Sequence, residues 1–496
     1  MARRNDRLPP PENPNTDYRL KRRRPHRSGP SDAHFKRRRL APKSDTSTGT
    51  HKSHRLNRFQ AFSSSSQNRR KKRRVGKSGG SSSRGACSRR WIFSSADCSN
   101  FNDKVTIVSY NILGVENASK HLDLYANTPR SFLEWERRKR LIFEEINTYN
   151  ASVLCFQEVD HFNDLDNLFQ NNGFKGVYKA RTGDAHDGCA LFWKDKLFTL
   201  LHQEDIEFQR FGLRNNVAQL CVLEALYTHE AIYLSLIICF ITLVLISLFG
   251  NWQARNDKPE SETSGLTTVT SSTQRKRFVI GNIHVLFNPN RGDIKLGQVR
   301  LLLDKAYKLS EEWGSIPVII AGDLNSLPQS AIYEFLASSK LDIQLHNRKN
   351  MSGQLEIQSN SRVFRSQIGY EASISISRSR QFLHGWTMEE LNLAAGAIGV
   401  TNLQHHLNLR SAYSGVPGNH GTRDDIGEPL ATSYHSKFMG TVDYIWHSEE
   451  LTPVRVLETL PIDILRRTGG LPSEQWGSDH LALVCELAFA NNGTVS

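Results

Sequence analysis

Glu158, Asp323, Asn325, Asp443 and Asp479, together with His284 and His480, are oxygen donors or proton handlers that each stand where a run of strand-forming residues ends or is about to begin. Such a set suits metal-assisted cleavage of a phosphate ester. Mg²⁺ takes hard oxygen ligands, keeps several waters, and is held by one or two carboxylates together with substrate phosphate oxygens. Two such ions roughly 3.5 to 4 Å apart can activate a water on one side of the phosphorus and stabilise the leaving oxygen on the other. A histidine can donate hydrogen bonds to phosphate oxygens, and a neighbouring carboxylate fixes its tautomer and favours its charged form.

The elements that must position these groups are legible as apolar runs. Val318-Ile319-Ile320-Ala321-Gly322 leads into Asp323-Leu324-Asn325-Ser326, a buried strand ending in a tight turn that holds a carboxylate and an amide on rigid backbone. Taken alone, Gly-Asp-x-Asn is equally ordinary turn chemistry, because Asp and Asn side chains bond their own backbone. Partners elsewhere in the chain decide between the two. Lys104 to Asn111 is a β-rich run closing on an amide, and Ala151 to Val159 repeats the design with Gln157-Glu158 at its end. Further strands are predicted at 188–193, 216–224 and 277–286, the last placing His284 on the same face as Asn282 by period-two alternation. The pattern predicts helices over 129–148, with Pro129 near the start, and over 293–313. Val442-Asp443-Tyr444 and Ser478-Asp479-His480 each place an acidic residue beside a strand, whereas 340–400 is polar and weakly patterned. Strands alternating with helices indicate a layered α/β fold.

The net charge of +14 conceals two opposed parts. Residues 1–100 hold 27 Lys/Arg against 6 Asp/Glu, a net of +21, which leaves −7 for the rest of the chain. That tail is rich in Ser, Pro, Arg and Lys, and reads as disordered. It contains Lys21-Arg22-Arg23-Arg24, Lys36-Arg37-Arg38-Arg39 and Arg69 to Arg74, basic clusters that point to a nuclear import receptor or to nucleic acid. An acidic body that works on a polyanion needs cations in its site, so metal dependence is expected. The seven cysteines include no Cys-x-x-Cys pair, which fits buried thiols in a reducing compartment and gives neither a zinc site nor a disulfide framework. From Ala231 to Ala254 there is no charged residue, a length able to cross a bilayer once. One crossing would put Glu158 and Asp323 on opposite sides, so the stretch from about 225 to 275 is expected to be an insertion foreign to the fold.

The motifs Ser109-Tyr110-Asn111-Ile112-Leu113, Gln157-Glu158-Val159, Asn282-Ile283-His284, Gly322 to Ser326, Val442-Asp443-Tyr444 and Ser478-Asp479-His480 resemble, in order, the motif set of the endonuclease/exonuclease/phosphatase superfamily. Asn288-Pro289 and Asp293-Ile294-Lys295-Leu296 are similar to the carbon-catabolite-repressor-type deadenylases, especially their plant forms. The resemblance implies a four-layered α/β sandwich over 101–490, two central sheets flanked by helices, preceded by the disordered basic tail. It implies a magnesium-dependent 3′-to-5′ exoribonuclease that removes poly(A) tails from mRNA and releases 5′-AMP. By the same resemblance Glu158 and Asp479 ligate the metal, and Asn111, Asp323 and Asn325 hold metal, water or the scissile phosphate. His480 paired with Asp443, and His284, bind phosphate oxygens, while Pro289 and Phe438 sandwich the terminal adenine. In repeat-bearing relatives a leucine-rich repeat docks the enzyme to the large deadenylase complex, and this sequence lacks one. Action in nucleus and cytoplasm is expected. Two alternatives stay open: a relative of the same fold acting on 2′,5′-linked, cyclic-phosphate or dinucleotide substrates, and a basic-tailed RNA-binding protein whose core the insertion impairs.

Overall fold

The strands that carry candidate site residues are runs of β-branched, aromatic and small apolar residues, buried along nearly their whole length. Strands of that composition must be covered on both faces. The computed structural model describes residues 89–95, 103–226, 275–354 and 385–490, so the basic clusters and the apolar stretch Ala231 to Ala254 lie outside the described residues. In chain order the strands are β1 (Trp91–Phe93), β2 (Lys104–Asn111), β3 (Val153–Gln157), β4 (Phe174–Ala180), β5 (Gly188–Lys194), β6 (Phe198–Glu207), β7 (Val217–Ala225), β8 (Arg277–His284), β9 (Val318–Asp323), β10 (Lys340–Asp342), β11 (Asn402–Gln404), β12 (Arg410–Ser411), β13 (Ser433–His435), β14 (Phe438–Gly440), β15 (Asp443–His447), β16 (Leu451–Leu457) and β17 (Leu483–Phe489).

Two large mixed sheets follow one plan. The first has the order β1-β16-β17-β2-β3-β5-β4 and the second β12-β15-β9-β8-β7-β6. Each has one parallel pair at its centre, β2 with β3 and β8 with β9, flanked by antiparallel strands. Parallel neighbours end on the same side, so both pairs deliver polar residues to one edge of the sandwich. Asn111 lies opposite Gln157, and His284 lies opposite Asp323.

Period-two alternation sorts the apolar residues into layers. Ile107, Cys155, Ile280, Ile319 and Cys485 fill the space between the sheets. Val279, Ile283 and Ile320 point the other way and pack with the helix Gly292–Glu312. Val108, Leu154 and Val484 do the same with the helix Trp135–Asn147. Helix, sheet, sheet and helix make the four expected layers. Cys155, Cys189, Cys221 and Cys485 are free and buried, as the cysteine spacing predicts.

The sequence expectations need two corrections. The helix predicted over 129–148 is two pieces, Arg130–Leu133 and Trp135–Asn147, with Glu134 in extended conformation between them. Buried Arg138 takes the freed carbonyl, its Nε donating to Leu133 O at 3.1 Å. Gly477 to His480 is a loop, with β17 starting only at Leu483. Within the weakly patterned 340–400, the described residues include the helix Met388–Ala395, closed by a capping box between Thr387 and Glu390.

The strands on either side of the apolar stretch pair directly with each other, Glu224 opposite Arg277, and Ala225 N donates to Lys276 O at 2.8 Å. The chain therefore leaves and re-enters the second sheet at one point. Among the described residues no helix is long and apolar enough to cross a membrane.

Candidate active site

Asn111 closes β2, and its side-chain amide joins the two sheets. Its Nδ2 donates to Glu158 Oε1 at 3.0 Å and to Asp323 Oδ2 at 3.1 Å, while its Oδ1 accepts from Leu113 N at 3.0 Å. Glu158 follows β3 directly with φ at 57°, a left-handed turn that swings its side chain out of the strand's alternation. Its Oε2 accepts from Gly114 N at 3.0 Å and from Asn117 Nδ2 at 2.8 Å. Burial pushes the Glu158 carboxyl up, but His284 and these hydrogen bonds together outweigh it, and its pKa lies below the ordinary carboxylate value.

The second sheet contributes the turn after β9. A Cβ on Gly322, whose φ is 152°, would stand 2.0 Å from Ile283 O, so only glycine lets β8 and β9 close this tightly beside the site. Asp323 Oδ1 accepts from Asn325 N at 2.8 Å, and Asn325, left-handed with φ at 46°, donates through Nδ2 to Val285 O at 3.0 Å. Beneath them Lys295 is wholly buried, its Nζ donating to Asn325 O at 2.5 Å and Gln354 Oε1 at 3.2 Å. Burial lowers its pKa to about 7, with Asp323 acting in the opposite sense. His284 Nε2 sits 3.6 Å from Asp323 Oδ2 and 3.9 Å from Glu158 Oε1.

Asp443 begins β15 in register with Asp323. Its Oδ2 lies 2.8 Å from His480 Nδ1, and His480 Nε2 lies 3.9 Å from Asp323 Oδ2. Burial pulls the His480 pKa down, but Asp443, Asp479 and Asp323 more than reverse that, leaving it well above the usual imidazole value. Burial, then Asp443, raises Asp323 above the ordinary carboxylate value despite His284 and His480. Asp479 Oδ2 accepts from Tyr125 Oη at 2.9 Å. Burial and the nearby Asp479 and Glu158 raise that phenol far enough to keep it a neutral donor.

These groups open on a cleft of about 510 Å³. Glu158, His284, Pro289, Asp323, Asn325, Phe438, Asp479 and His480 line it, with Asn111 and Asp443 hydrogen-bonded directly behind, so all ten sequence-predicted residues converge. Sequence reasoning missed Asn117, Tyr125, His435 and Gln354, which also line the cleft. Asn117 lies in the short helix Val115–Lys120, Tyr125 in a turn and His435 in the short strand β13, none with a periodic signal, and their roles come only from the partners they meet. Asn282 belongs elsewhere: its Oδ1 accepts from Gln157 Nε2 at 2.8 Å, and its Nδ2 donates to Phe156 O and Ala190 O at 3.0 Å each, tying the sheets together below the site.

The donor set fits a hard divalent cation. Glu158, Asp323 and Asp479 bring carboxylate oxygens, and Asn325 a side-chain amide oxygen, to one buried cleft, where uncompensated negative charge is costly. Among the described residues, Asp323, Asp443 and His480 hold candidate ligand atoms within 4.8 Å of one another. His480 Nδ1 is already engaged by Asp443 at 2.8 Å, so this trio makes a carboxylate–imidazole pair beside Asp323, and Glu158, Asp323, Asn325 and Asp479 are the oxygen donors that could hold a cation.

A model of the endonuclease/exonuclease/phosphatase family matches residues 108–480, from β2 to the Asp479-His480 loop. The chain belongs to this family. Within the family it is similar to two Arabidopsis thaliana proteins. Carbon catabolite repressor protein 4 homolog 5 is 59% identical over 82% of this chain and 81% of the relative, and homolog 3 is 44% identical over 82% and 80%. The carbon catabolite repressor 4-like resemblance of the motifs thus extends over most of the chain. Among solved structures it is similar to ANGEL2, described as a 2′,3′-cyclic phosphatase, in complex with adenosine-2′,3′-vanadate: TM-score 0.59, 27% identity, covering 82% of this chain and all of that one. The chain is a hydrolase of the endonuclease/exonuclease/phosphatase superfamily, whose enzymes typically depend on a divalent metal.

Proposed function

We propose that this chain is a magnesium-dependent 3′-to-5′ exoribonuclease that shortens the poly(A) tail of mRNA and releases 5′-AMP. The observation that carries this assignment is the placing of Pro289 and Phe438 in the same cleft as Glu158, Asp323, His284 and His480. A half-buried proline and a half-buried aromatic ring offer two apolar surfaces for a base, next to groups suited to its phosphate. Kinship with two carbon catabolite repressor 4 homologs supports the same substrate.

Glu158, Asp323, Asn325 and Asp479 would hold Mg²⁺, which when bound supplies charge neutralisation and an activated water. The chain's own residues do the rest. Asn111 holds Glu158 and Asp323 at fixed separation, and Asp443 fixes the ring of His480 so that its Nε2–H points away from Asp443 toward the cleft. Protonated His480 and the adjacent His284 then donate to phosphate oxygens as charge builds in the transition state. The basic tail acts in nuclear import, with the enzyme working in nucleus and cytoplasm.

A second substrate class has a specific observation behind it, the likeness to ANGEL2 in complex with adenosine-2′,3′-vanadate. Purified full-length protein is therefore given labelled oligoadenylate and the same oligonucleotide ending in a 2′,3′-cyclic phosphate, each with Mg²⁺ or EDTA. Stepwise 3′ shortening with AMP release, abolished by EDTA, is expected. Opening of the cyclic end without shortening would replace the deadenylase assignment with the phosphatase one.

A further inference from the structure

At the rim of the cleft Phe287 is 52% exposed, a large apolar ring left in solvent two residues before Pro289. Exposed His121, at the C-terminal end of the helix Val115–Lys120, lies against it with ring centroids 6.3 Å apart and planes tilted by 41°. Both residues line the cleft that contains the candidate catalytic groups. The His121 side of the rim is braced. Ser436 N donates to Leu124 O at 3.0 Å, Ser436 Oγ to Asp123 O at 3.0 Å, and Lys437 pairs with Asp123, which also brings an ammonium to the cleft's edge.

We infer that Phe287 and His121 form a second base-stacking step, which holds the nucleobase immediately 5′ of the terminal nucleotide. The inference rests on the exoribonuclease assignment and deepens it from a terminal adenosine to a polynucleotide. An aromatic face accepts any base, and Phe287 and His121 set two adjacent rings at the mouth of the cleft. A flat ring at the mouth of an anion-handling cleft is covered well by the next base of a strand whose 3′ end is already inside. A lone mononucleotide held between Pro289 and Phe438 has no second base to place there.

The test uses the full chain with Phe287→Ala and Phe287→Trp. Two substrates share the same terminal adenosine and differ only beyond the scissile phosphate: a short oligoadenylate, and the methyl ester of 5′-AMP, each followed by release of AMP. Phe287→Ala is expected to raise KM for the oligoadenylate about 5- to 150-fold with little change in kcat, while the ester's KM stays as in wild type. Phe287→Trp is expected to restore oligoadenylate binding. An equal loss on both substrates, or on neither, would overturn the second step. Binding is read separately, by anisotropy of labelled oligoadenylate and labelled AMP on the Glu158→Ala background, so that a wild-type enzyme inactive on adenylates would defeat the exoribonuclease assignment without deciding this one. There, a selective loss of oligoadenylate affinity in Phe287→Ala supports the step, and unchanged affinity refutes it.

Discussion

Asp323 and Asp443 face each other across the β9–β15 ladder, and His480 reaches both, with Nδ1 2.8 Å from Asp443 and Nε2 3.9 Å from Asp323. Two buried carboxylates in register repel unless a cation lies between or beside them, and the imidazolium is that cation. Asp443→Asn keeps the shape of the side chain but lets His480 lose its proton and its fixed tautomer. The variant should lower kcat about 10²- to 10⁴-fold with a much smaller change in KM. Steady-state kinetics on oligoadenylate checks this, and a change confined to KM would show that the pair serves only to bind.

Glu158 separates two effects of one substitution. In Glu158→Ala the amide donors of Gly114, Asn117 and Asn111 lose their acceptor, which should cost about 1–3 kcal/mol of stability even in EDTA. Saturating Mg²⁺ should stabilise the wild-type chain further, by about 2.7 kcal/mol at a hundred times its Kd, and should add little to the variant. Urea unfolding with and without Mg²⁺ measures both. The same Mg²⁺ increment in both proteins would remove Glu158 from the metal site.

How far the sequence revealed the site follows from where each residue sits. Asn111, His284 and Asp323 terminate strands whose apolar runs are long and uninterrupted, so composition locates both the strand and its polar end. Glu158 follows such a strand, and its left-handed turn leaves no mark in the pattern although its position does. Tyr125 and Asn117 are legible only through Asp479 and Glu158, partners 354 and 41 residues away. β6 alternates weakly because its exposed positions, Thr199, His202 and Asp205, fall three apart across a register shift, and β16 contains Pro453 at another, so neither announces itself as a strand. The split of the helix at Glu134 depends on Arg138 reaching back to Leu133 O, a tertiary contact that helical periodicity does not encode.

Asn282 lies two residues before His284 in the same strand, yet it should behave as a structural residue. Replacing it with alanine removes the partner that Gln157 Nε2, Phe156 O and Ala190 O share between the sheets, and leaves Gln157 Nε2 only Cys155 O. The loss of these buried hydrogen bonds should cost about 1–3 kcal/mol. Chemical denaturation should show the loss in Cm, while KM for substrate in the surviving folded fraction stays near wild type. A normal Cm with lost activity would reassign Asn282 to the chemistry.

A buried acid away from the cleft sets a pH dependence of its own. Glu428 is 1% exposed and accepts from Tyr333 Oη at 2.8 Å, while nearby Arg423 is committed to Glu458 at 2.6 Å. Burial foremost, with Asp424 in the same sense and the Tyr333 hydrogen bond against it, raises its pKa from 4.5 to about 7. Between those two values the folded chain keeps a proton that the unfolded chain has released, so stability falls as pH rises through this window and stays lower above it. A shift of this size corresponds to about 3 kcal/mol. Glu428→Gln keeps an oxygen to accept from Tyr333 and cannot ionise. It should match wild type near pH 4.5 and exceed it by up to that amount at pH 8, a gap that urea denaturation across pH would record. A constant difference at all pH values would mean that Glu428 is ionised throughout and that its burial is compensated by a charge.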